Sequence, residues 1–500
     1  MTESRATSHD TSRVTELLDR IPTGVFIGGR FQDGSIGERL DVLDPATDQV
    51  LTTVACAGPR DAARAMDAAA AAQERWSATA PRERSTILHR AFELMSVEYR
   101  EDLALLMTLE MGKPLAQSRA EVAYGAEFLR WFAEEAVRVR GDVFRVPEGH
   151  LQAMVLRRAV GPCLLITPWN FPLAMATRKV GPAFAAGSTA ILKPSRETPL
   201  TALLAAQILT EAGLPPGVLS VLPTRDSEAI TSPLLADRRL RKVSFTGSTA
   251  VGRELLRASA DNVLRTSMEL GGHAAFIVFD DADLDAAIEA AVTTKMRNMG
   301  QACNAANHFL VQEGVYEDFT RGLAAAMSAQ AVGSGLEEGV QVGPLISARH
   351  RDALAEMVQR ALDSGARALC GGAIPRGAGY FYPPTVLVDM PASSEIMSRE
   401  IFGPVAPVLP FTSEEEALAL ANDDEAGLSG YLHTRDMARV MRIAERLEVG
   451  MLGVNSATIS NAGAPFGGLK HSGLGREGGR EGIEDYLETI YVGMPAPLPG

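Results

Sequence analysis

Apolar residues recur at helical spacing from Pro59 to about Arg140, in Ala- and Leu-rich segments interrupted near Pro81 and Pro114. This stretch predicts a succession of amphipathic helices. The pattern changes between Gly141 and Arg158. It becomes short and alternating, most clearly in Leu151-Gln-Ala-Met-Val-Leu156, and predicts a strand. Beyond Val160, short apolar runs alternate with helical segments. Strands are expected over 163–166, 190–192, 218–222 and 242–245, with helices over 201–212 and from Ser248. A second series runs from Ala274 to about Leu452, with helices expected over 282–299, 316–330, 348–365 and 413–421. Strands alternating with helices build parallel sheets, so the fold class is α/β. The stretch 483–492 reads as a last strand, and residues 1–20 as a frayed tail. There is no internal repeat or low-complexity block.

Five hundred residues exceed one ordinary core, so two or three domains are expected. An apolar content of 46% with mean hydropathy near zero is that of a soluble globular chain. The net charge of −14 argues against nonspecific nucleic-acid binding and against a membrane-surface role. No run approaches the roughly 18 apolar residues of a membrane span. The polar start carries no secretory h-region, so a reducing cytoplasm is the default. The four cysteines, Cys56, Cys163, Cys303 and Cys370, are far apart and form no Cys/His cluster. Neither a disulfide framework nor a metal site is expected.

Three short segments carry candidate chemistry. Lys295-Met-Arg297-Asn-Met-Gly-Gln-Ala-Cys303 offers a thiol beside a glycine turn. Met268-Glu269-Leu-Gly-Gly-His273 offers a carboxylate where an apolar strand meets a Gly-Gly break. Thr167-Pro-Trp169-Asn170-Phe-Pro172 offers a side-chain amide in a turn bounded by prolines. Singly, each has an ordinary reading: a buried apolar cysteine, a strand-end charge, a turn asparagine. Together they supply a nucleophile, a base and an oxyanion donor for covalent catalysis on a carbonyl. Phe245-Thr-Gly247-Ser248-Thr-Ala-Val-Gly252 follows a strand and opens a helix, which suits a phosphate or an ordinary capped helix. Gly473-Leu-Gly475-Arg-Glu-Gly478 is a literal GxGxxG, but the strand and βαβ context are missing, so it is rejected.

In this order the motifs resemble the aldehyde dehydrogenase superfamily, from about residue 20 to about 492. The resemblance implies a Rossmann-like cofactor domain over 15–140 and 160–270, after a flexible tail at 1–14. It implies an α/β catalytic domain over 271–470, with 141–159 and 471–500 forming a β oligomerisation arm and C-terminal segment. A homotetramer is expected, a dimer being the alternative. Cys303 would attack the aldehyde, Asn170 and the Cys303 N–H would hold the oxyanion, and Glu269 would activate water. Thr167, Trp169, Gly247, Ser248, Gly252, Glu400 and Phe402 would bind NAD or NADP, as would Lys193 and Ser195 in Leu192-Lys193-Pro-Ser195-Arg196-Glu197. Arg196 stands where a ribose-binding Glu would repel a 2′-phosphate, so NADP is favoured over NAD.

Within the superfamily the chain is most similar to succinate-semialdehyde dehydrogenases. The residues that carry this are Trp169 to Gly181, Lys295 to Cys303, Pro465 to Gly478 and Tyr486 to Val492. The resemblance implies that Arg178, Arg297 and Ser460 hold the substrate's distal carboxylate. Ala305 replaces a second cysteine frequent in the subgroup, so no redox switch of that kind is expected. Ala302, His308 and the loop Val454 to Ser460 also depart from its pattern, which leaves glutarate semialdehyde or another ω-oxo acid open, as well as a broader aldehyde specificity. A thiol hydrolase without nicotinamide would leave Lys193, Gly247 and Glu400 unexplained. A non-catalytic scaffold would not need Cys303, Glu269 and Asn170 together.

Overall fold

A computed structural model describes residues 8–496. Two large sheets organise it, and both are mainly parallel. The first runs in the order Arg30–Gln32, Val25–Ile27, Leu219–Val221, Ala190–Lys193, Cys163–Ile166, Lys242–Thr246, Arg265–Glu269, Gly473–Leu474. Its five central strands are parallel, and antiparallel strands close the edges. Side chains on a strand alternate faces. Cys163 and Leu165 accordingly enter one apolar core while Leu164 and Ile166 enter another. The sheet is therefore buried on both sides, as parallel sheets are.

The second sheet runs Arg367–Cys370, Thr385–Val388, Val405–Phe411, Ala306–Gln312, Ala274–Val278, Ser429–His433, Met451–Val454. It has its own core, built around Phe276, Phe309 and Leu432. A separate three-stranded antiparallel sheet joins Asp142–Arg145, Leu151–Ala159 and Leu487–Pro495. The last two strands pair from Leu487↔Ala159 to Pro495↔Leu151.

The proline breaks fall where the pattern placed them. Pro81 opens the helix Pro81–Glu93, and Pro114 stands just before the helix Leu115–Ala136. Three expectations are corrected. Residues 1–7 of the expected tail lie outside the described residues, but Ser8–Arg20 is a helix. Val14, Leu17, Leu18 and Ile21 recur on one face and pack into the core, which holds it down. The helix expected over 282–299 is Leu284–Met296, capped by the Asp283 side chain. It stops at Arg297, whose ψ of 122° leaves the helix, and Asn298 and Met299 follow with left-handed backbone angles, φ 52° and 55°. The last strand begins at Leu487 rather than 483, because Glu481–Glu484 forms a short helix.

One buried ion pair links the helical layer to the first sheet. Lys113 and Glu121 are both 1% exposed and bonded to each other. Lys113 Nζ also donates to the Asn170 carbonyl at 2.8 Å. Glu121 accepts from the backbone N–H of Leu173 (3.0 Å) and Ala174 (3.2 Å), at the start of the helix Pro172–Ala186. The carboxylate thus satisfies donors that the helix itself leaves free. Removing one partner strands the other charge in the interior, which costs about 3–5 kcal/mol. Lys113→Met is expected to lower the chemical-denaturation midpoint markedly, while an exposed control such as Arg20→Met changes it little.

Candidate active site

A cavity of about 260 Å³ lies between the two large sheets. The C-terminal ends of the parallel strands feed it: Thr246 and Glu269 end neighbouring strands and sit side by side in register. Ligands collect at this end of an open α/β sheet. Cys303, Glu269, Asn170, Arg178, Arg297, Ser460, Trp169, Gly247, Ser248, Glu400 and Phe402 all line it. Segments distant in sequence therefore converge on one space.

Cys303 follows a turn of unusual backbone. Asn298, Met299 and Gly300 have φ of 52°, 55° and 74°. The two non-glycine residues cost about 1–3 kcal/mol each unless their surroundings hold them. Asn298 supplies the hold. Its N–H donates to Gln117 Oε1 at 2.7 Å, and its Nδ2 donates to the carbonyls of Asn170 (2.9 Å) and Gln301 (3.0 Å). The thiol's turn and the Asn170 loop are thereby tied together. The Gly-Gly break after Glu269 has a steric cause: a Cβ on Gly272 would stand 2.2 Å from the Cys303 carbonyl oxygen.

The Asn170 amide has a fixed sense. Its Oδ1 accepts from the Phe171 N–H at 3.1 Å, so the Nδ2 end faces the other way and donates to the Gln301 carbonyl, also at 3.1 Å. An amide nitrogen carries two hydrogens, so this contact uses one and leaves a second.

Glu269 is 2% exposed, and neither carboxyl oxygen has a hydrogen-bond partner among the described residues. Burial raises its pKa well above the carboxylate range, and Glu477 pushes the same way against Lys179 and Arg178. A buried, unspent carboxyl with a raised pKa suits a proton acceptor. Gly467 makes room for it: a Cβ there would stand 2.9 Å from Glu269 Oε1. Burial likewise pushes the Cys303 thiol up to about 12, while Arg178 and Arg297 pull it down. The thiolate is then a small fraction at neutral pH and grows about tenfold per pH unit. Alkylation of Cys303 by iodoacetamide is expected to rise with that slope from pH 6 to 9 without a plateau. A plateau near pH 7 would contradict this environment for the thiol.

Arg178 lies in the helix Pro172–Ala186 and is 2% exposed. Its guanidinium sits 4.1 Å from the Phe466 ring centre and donates to the Tyr124 hydroxyl. Its Nε and Nη1 have no hydrogen-bond partner among the described residues, although Glu477 lies 3.7 Å from Nη1. Arg297 lies over Phe171 at 4.9 Å. Ser460 Oγ accepts from Asn304 Nδ2 at 2.9 Å.

The residues read for a dinucleotide divide. Gly247 and Ser248 line the cavity at the start of the helix Thr249–Ala260, whose N–H groups suit a phosphate. The Thr246 hydroxyl is buried without a hydrogen-bond partner among the described residues. Glu400 accepts from the Gly272 N–H at 3.2 Å, and burial raises its carboxyl to about 7. Phe402 meets the Trp169 ring edge-on at 5.5 Å. These groups fit a nucleotide carrying phosphates and ribose hydroxyls. Thr167, Lys193, Ser195, Arg196 and Gly252 do not line this cavity. Lys193 is buried, which lowers its pKa to about 8, and it donates to the Pro194 carbonyl at 3.2 Å. Thr167 N–H donates to the Lys193 carbonyl at 3.2 Å, and Gly252 packs against Leu270. Arg196 is exposed, and its Nε donates to Glu197 Oε1 at 2.9 Å. Ser195 bonds the other oxygen of the same carboxylate. The rejected GxGxxG segment forms no phosphate loop, since Gly473 and Leu474 pair antiparallel with Glu269 and Met268.

Sequence reading passed over Tyr124, Lys179, Asn298, Asn304, Phe466 and Glu477. Lys179 Nζ bonds Glu477 Oε1 at 2.5 Å and Ser244 Oγ at 2.8 Å, forming a fully buried charged cluster near Glu269. Among the described residues no cluster could hold a metal ion, and no helix is long and apolar enough to cross a membrane.

A sequence model described as the aldehyde dehydrogenase family matches residues 31–492. A succinate-semialdehyde dehydrogenase of Paenarthrobacter nicotinovorans is 58% identical over 90% of this chain and 99% of its own. A glutarate-semialdehyde dehydrogenase of Pseudomonas putida is 47% identical over 93% and 96%. A crystal structure described as an E. coli NADP dependent enzyme superposes with a TM-score of 0.94 at 46% identity, covering 96% of this chain and 99% of that one. With its two-sheet fold, its convergent thiol, carboxyl and amide, and these likenesses, the chain belongs to the aldehyde dehydrogenase family.

Proposed function

We propose that the protein oxidises succinate semialdehyde to succinate with a nicotinamide dinucleotide, through an acyl-enzyme on Cys303. The observation that carries the substrate is Arg178, a buried guanidinium with unspent donors in the same cavity as the thiol. A substrate carboxylate between Arg178 and Arg297 satisfies those donors, and each charge-assisted bond contributes about 1.5–3 kcal/mol. An aldehyde lacking that carboxylate leaves these donors without hydrogen bonds. The relatives named for succinate and glutarate semialdehydes support an ω-carboxylate substrate, and the relative named for succinate semialdehyde has the higher identity of the two.

The residues divide the work as follows. Cys303 Sγ attacks the aldehyde carbon as the thiolate, its proton having passed to solvent, and the developing oxyanion is held by the second Asn170 Nδ2 hydrogen and the Cys303 N–H. Such a donor lowers the barrier by about 3 kcal/mol. A bound nicotinamide would supply the hydride acceptor that lets the hemithioacetal on Cys303 become a thioester. Glu269 then accepts a proton from water, which attacks the thioester carbon, releases the acid and restores the thiol. Overall, aldehyde, oxidised nicotinamide and water give acid, reduced nicotinamide and a proton. Glu400, Phe402, Trp169, Gly247 and Ser248 would hold the cofactor's nicotinamide and phosphate ends, and Thr167, Lys193, Ser195 and Gly252 would shape the strand ends beside them.

NADP is the favoured cofactor, because a 2′-phosphate can displace Glu197 from the exposed Arg196. The likeness to an NADP-dependent E. coli enzyme agrees with this. The cofactor region spans 15–140 and 160–270, and the catalytic region 271–470. The three-stranded sheet leaves Val143, Phe144 and Tyr491 at least half exposed, which fits an arm covered by other subunits in a tetramer. A working thiol at Cys303 requires a reducing compartment such as the cytoplasm.

Initial rates with succinate semialdehyde, glutarate semialdehyde and butanal, each with NADP and NAD, test this. The kcat/KM for succinate semialdehyde is expected to exceed that for butanal about 100-fold or more, and Arg178→Leu is expected to remove most of that ratio. A ratio near one in the wild type would sink the carboxylate site.

A further inference from the structure

We propose that Asn304 is a specificity-determining residue, which commits Ser460 to act as a hydrogen-bond donor to the substrate's distal carboxylate. This rests on the reading of the cavity as a carboxylate site. Asn304 follows the nucleophile directly in sequence, is 8% exposed and lines the same cavity as Arg178, Arg297 and Ser460. Its Nδ2 donates to Ser460 Oγ at 2.9 Å.

A serine hydroxyl has one hydrogen and two acceptor positions, so alone it presents either face to a ligand. An amide donor on one lone pair removes that freedom. The hydroxyl hydrogen cannot point back at the Asn304 NH₂ group and is left for the cavity. A carboxylate accepts hydrogen bonds and donates none, so a hydroxyl turned outward as a donor matches it, and one turned outward as an acceptor repels it.

The arrangement is held from behind. The Asn304 carbonyl accepts from the Tyr431 hydroxyl at 2.7 Å. Tyr431 is 1% exposed in the second sheet, paired with Phe276 and Gly453. Gly453 is small enough to admit both the Tyr431 ring and Ile459, where a Cβ would meet them at 2.9 and 2.7 Å. Ile459 precedes Ser460 and packs in the apolar cluster that also touches Cys303. The serine loop, otherwise outside regular secondary structure, is thus packed against the strand Met451–Val454, which pairs with the strand that carries Asn304's anchor. This pre-organises the third donor of the site before substrate arrives.

The test compares kcat/KM for succinate semialdehyde with that for butanal in wild type, Asn304→Leu, Asn304→Asp, Ser460→Ala and the Asn304→Leu/Ser460→Ala double variant. Asn304→Leu is expected to lower the semialdehyde-to-butanal ratio about tenfold, mainly through KM for the semialdehyde. Asn304→Asp, which accepts from Ser460 and adds an anion, is expected to lower it further. The double variant is expected to match Ser460→Ala alone, because without the hydroxyl Asn304 has nothing to orient. Equal losses on both aldehydes, an unchanged ratio in Asn304→Leu, or multiplicative effects in the double variant would each overturn the proposal. A wild type with no preference for the semialdehyde would instead overturn the carboxylate reading beneath it, so the two failures are distinguishable.

Discussion

Replacing Cys303 with alanine is expected to abolish aldehyde oxidation, with kcat/KM falling about 10⁴-fold or more. The size follows from the role. The thiol forms the bond from which hydride leaves, and no other cysteine lines the cavity: Cys56 and Cys163 are buried in the apolar cores. The fold should survive, because Cys303 is only partly buried and alanine fits the space it occupies. Reduced nicotinamide formation, followed in the near ultraviolet, measures the loss. Unchanged binding of NADP and an unchanged melting temperature show that the site is otherwise intact. Residual turnover above about 1% of wild type would mean that another group carries the nucleophilic step.

The second large effect separates the two halves of the reaction. Glu269→Gln keeps the side chain's size but removes the proton acceptor. Adduct formation and hydride loss still occur once, while thioester hydrolysis stalls. The expected record is a burst approaching one reduced nicotinamide per subunit, followed by a steady rate reduced about 10²–10⁴-fold. The pH dependence has a definite sign. Burial raises the Glu269 pKa, so the wild-type deacylation rate is lost as pH falls below that raised value and recovers above it. The glutamine variant should lose this limb. The same sign governs stability: burial favours the protonated form, so Glu269 costs nothing below its unfolded pKa, where it is protonated folded or unfolded, and destabilises the fold progressively as pH rises from there to its raised folded pKa. A Glu269→Gln variant that retains wild-type steady turnover would remove Glu269 from the mechanism.

Much of this was legible in the sequence because it rests on local pattern. Alternating apolar runs and helical periods gave the two α/β series, and Pro81 and Pro114 gave the helix breaks. Cys303, Glu269 and Asn170 stood out because each sits at a break in such a pattern, and their joint order carried the resemblance. What escaped were relations across the chain. Lys113 and Glu121 look like ordinary helix-surface charges until the fold buries them under the Asn170 loop. Lys179 and Glu477 meet only because the C-terminal return brings Glu477 against the helix Pro172–Ala186. Asn298 was hidden by its own surroundings: the apolar period ran on through Met299, while tertiary hydrogen bonds hold Asn298 and Met299 in left-handed conformations. Asn304 gave no signal, since nothing in sequence links it to Ser460.

Intact-protein and peptide mass spectrometry of Glu269→Gln, quenched after mixing with succinate semialdehyde and NADP, tests the central claim most directly. One succinyl group per subunit, located on the peptide carrying Cys303 and absent when the cofactor is omitted, is the predicted result. Turnover without any acyl adduct, or an adduct on a different residue, would contradict covalent oxidation at Cys303.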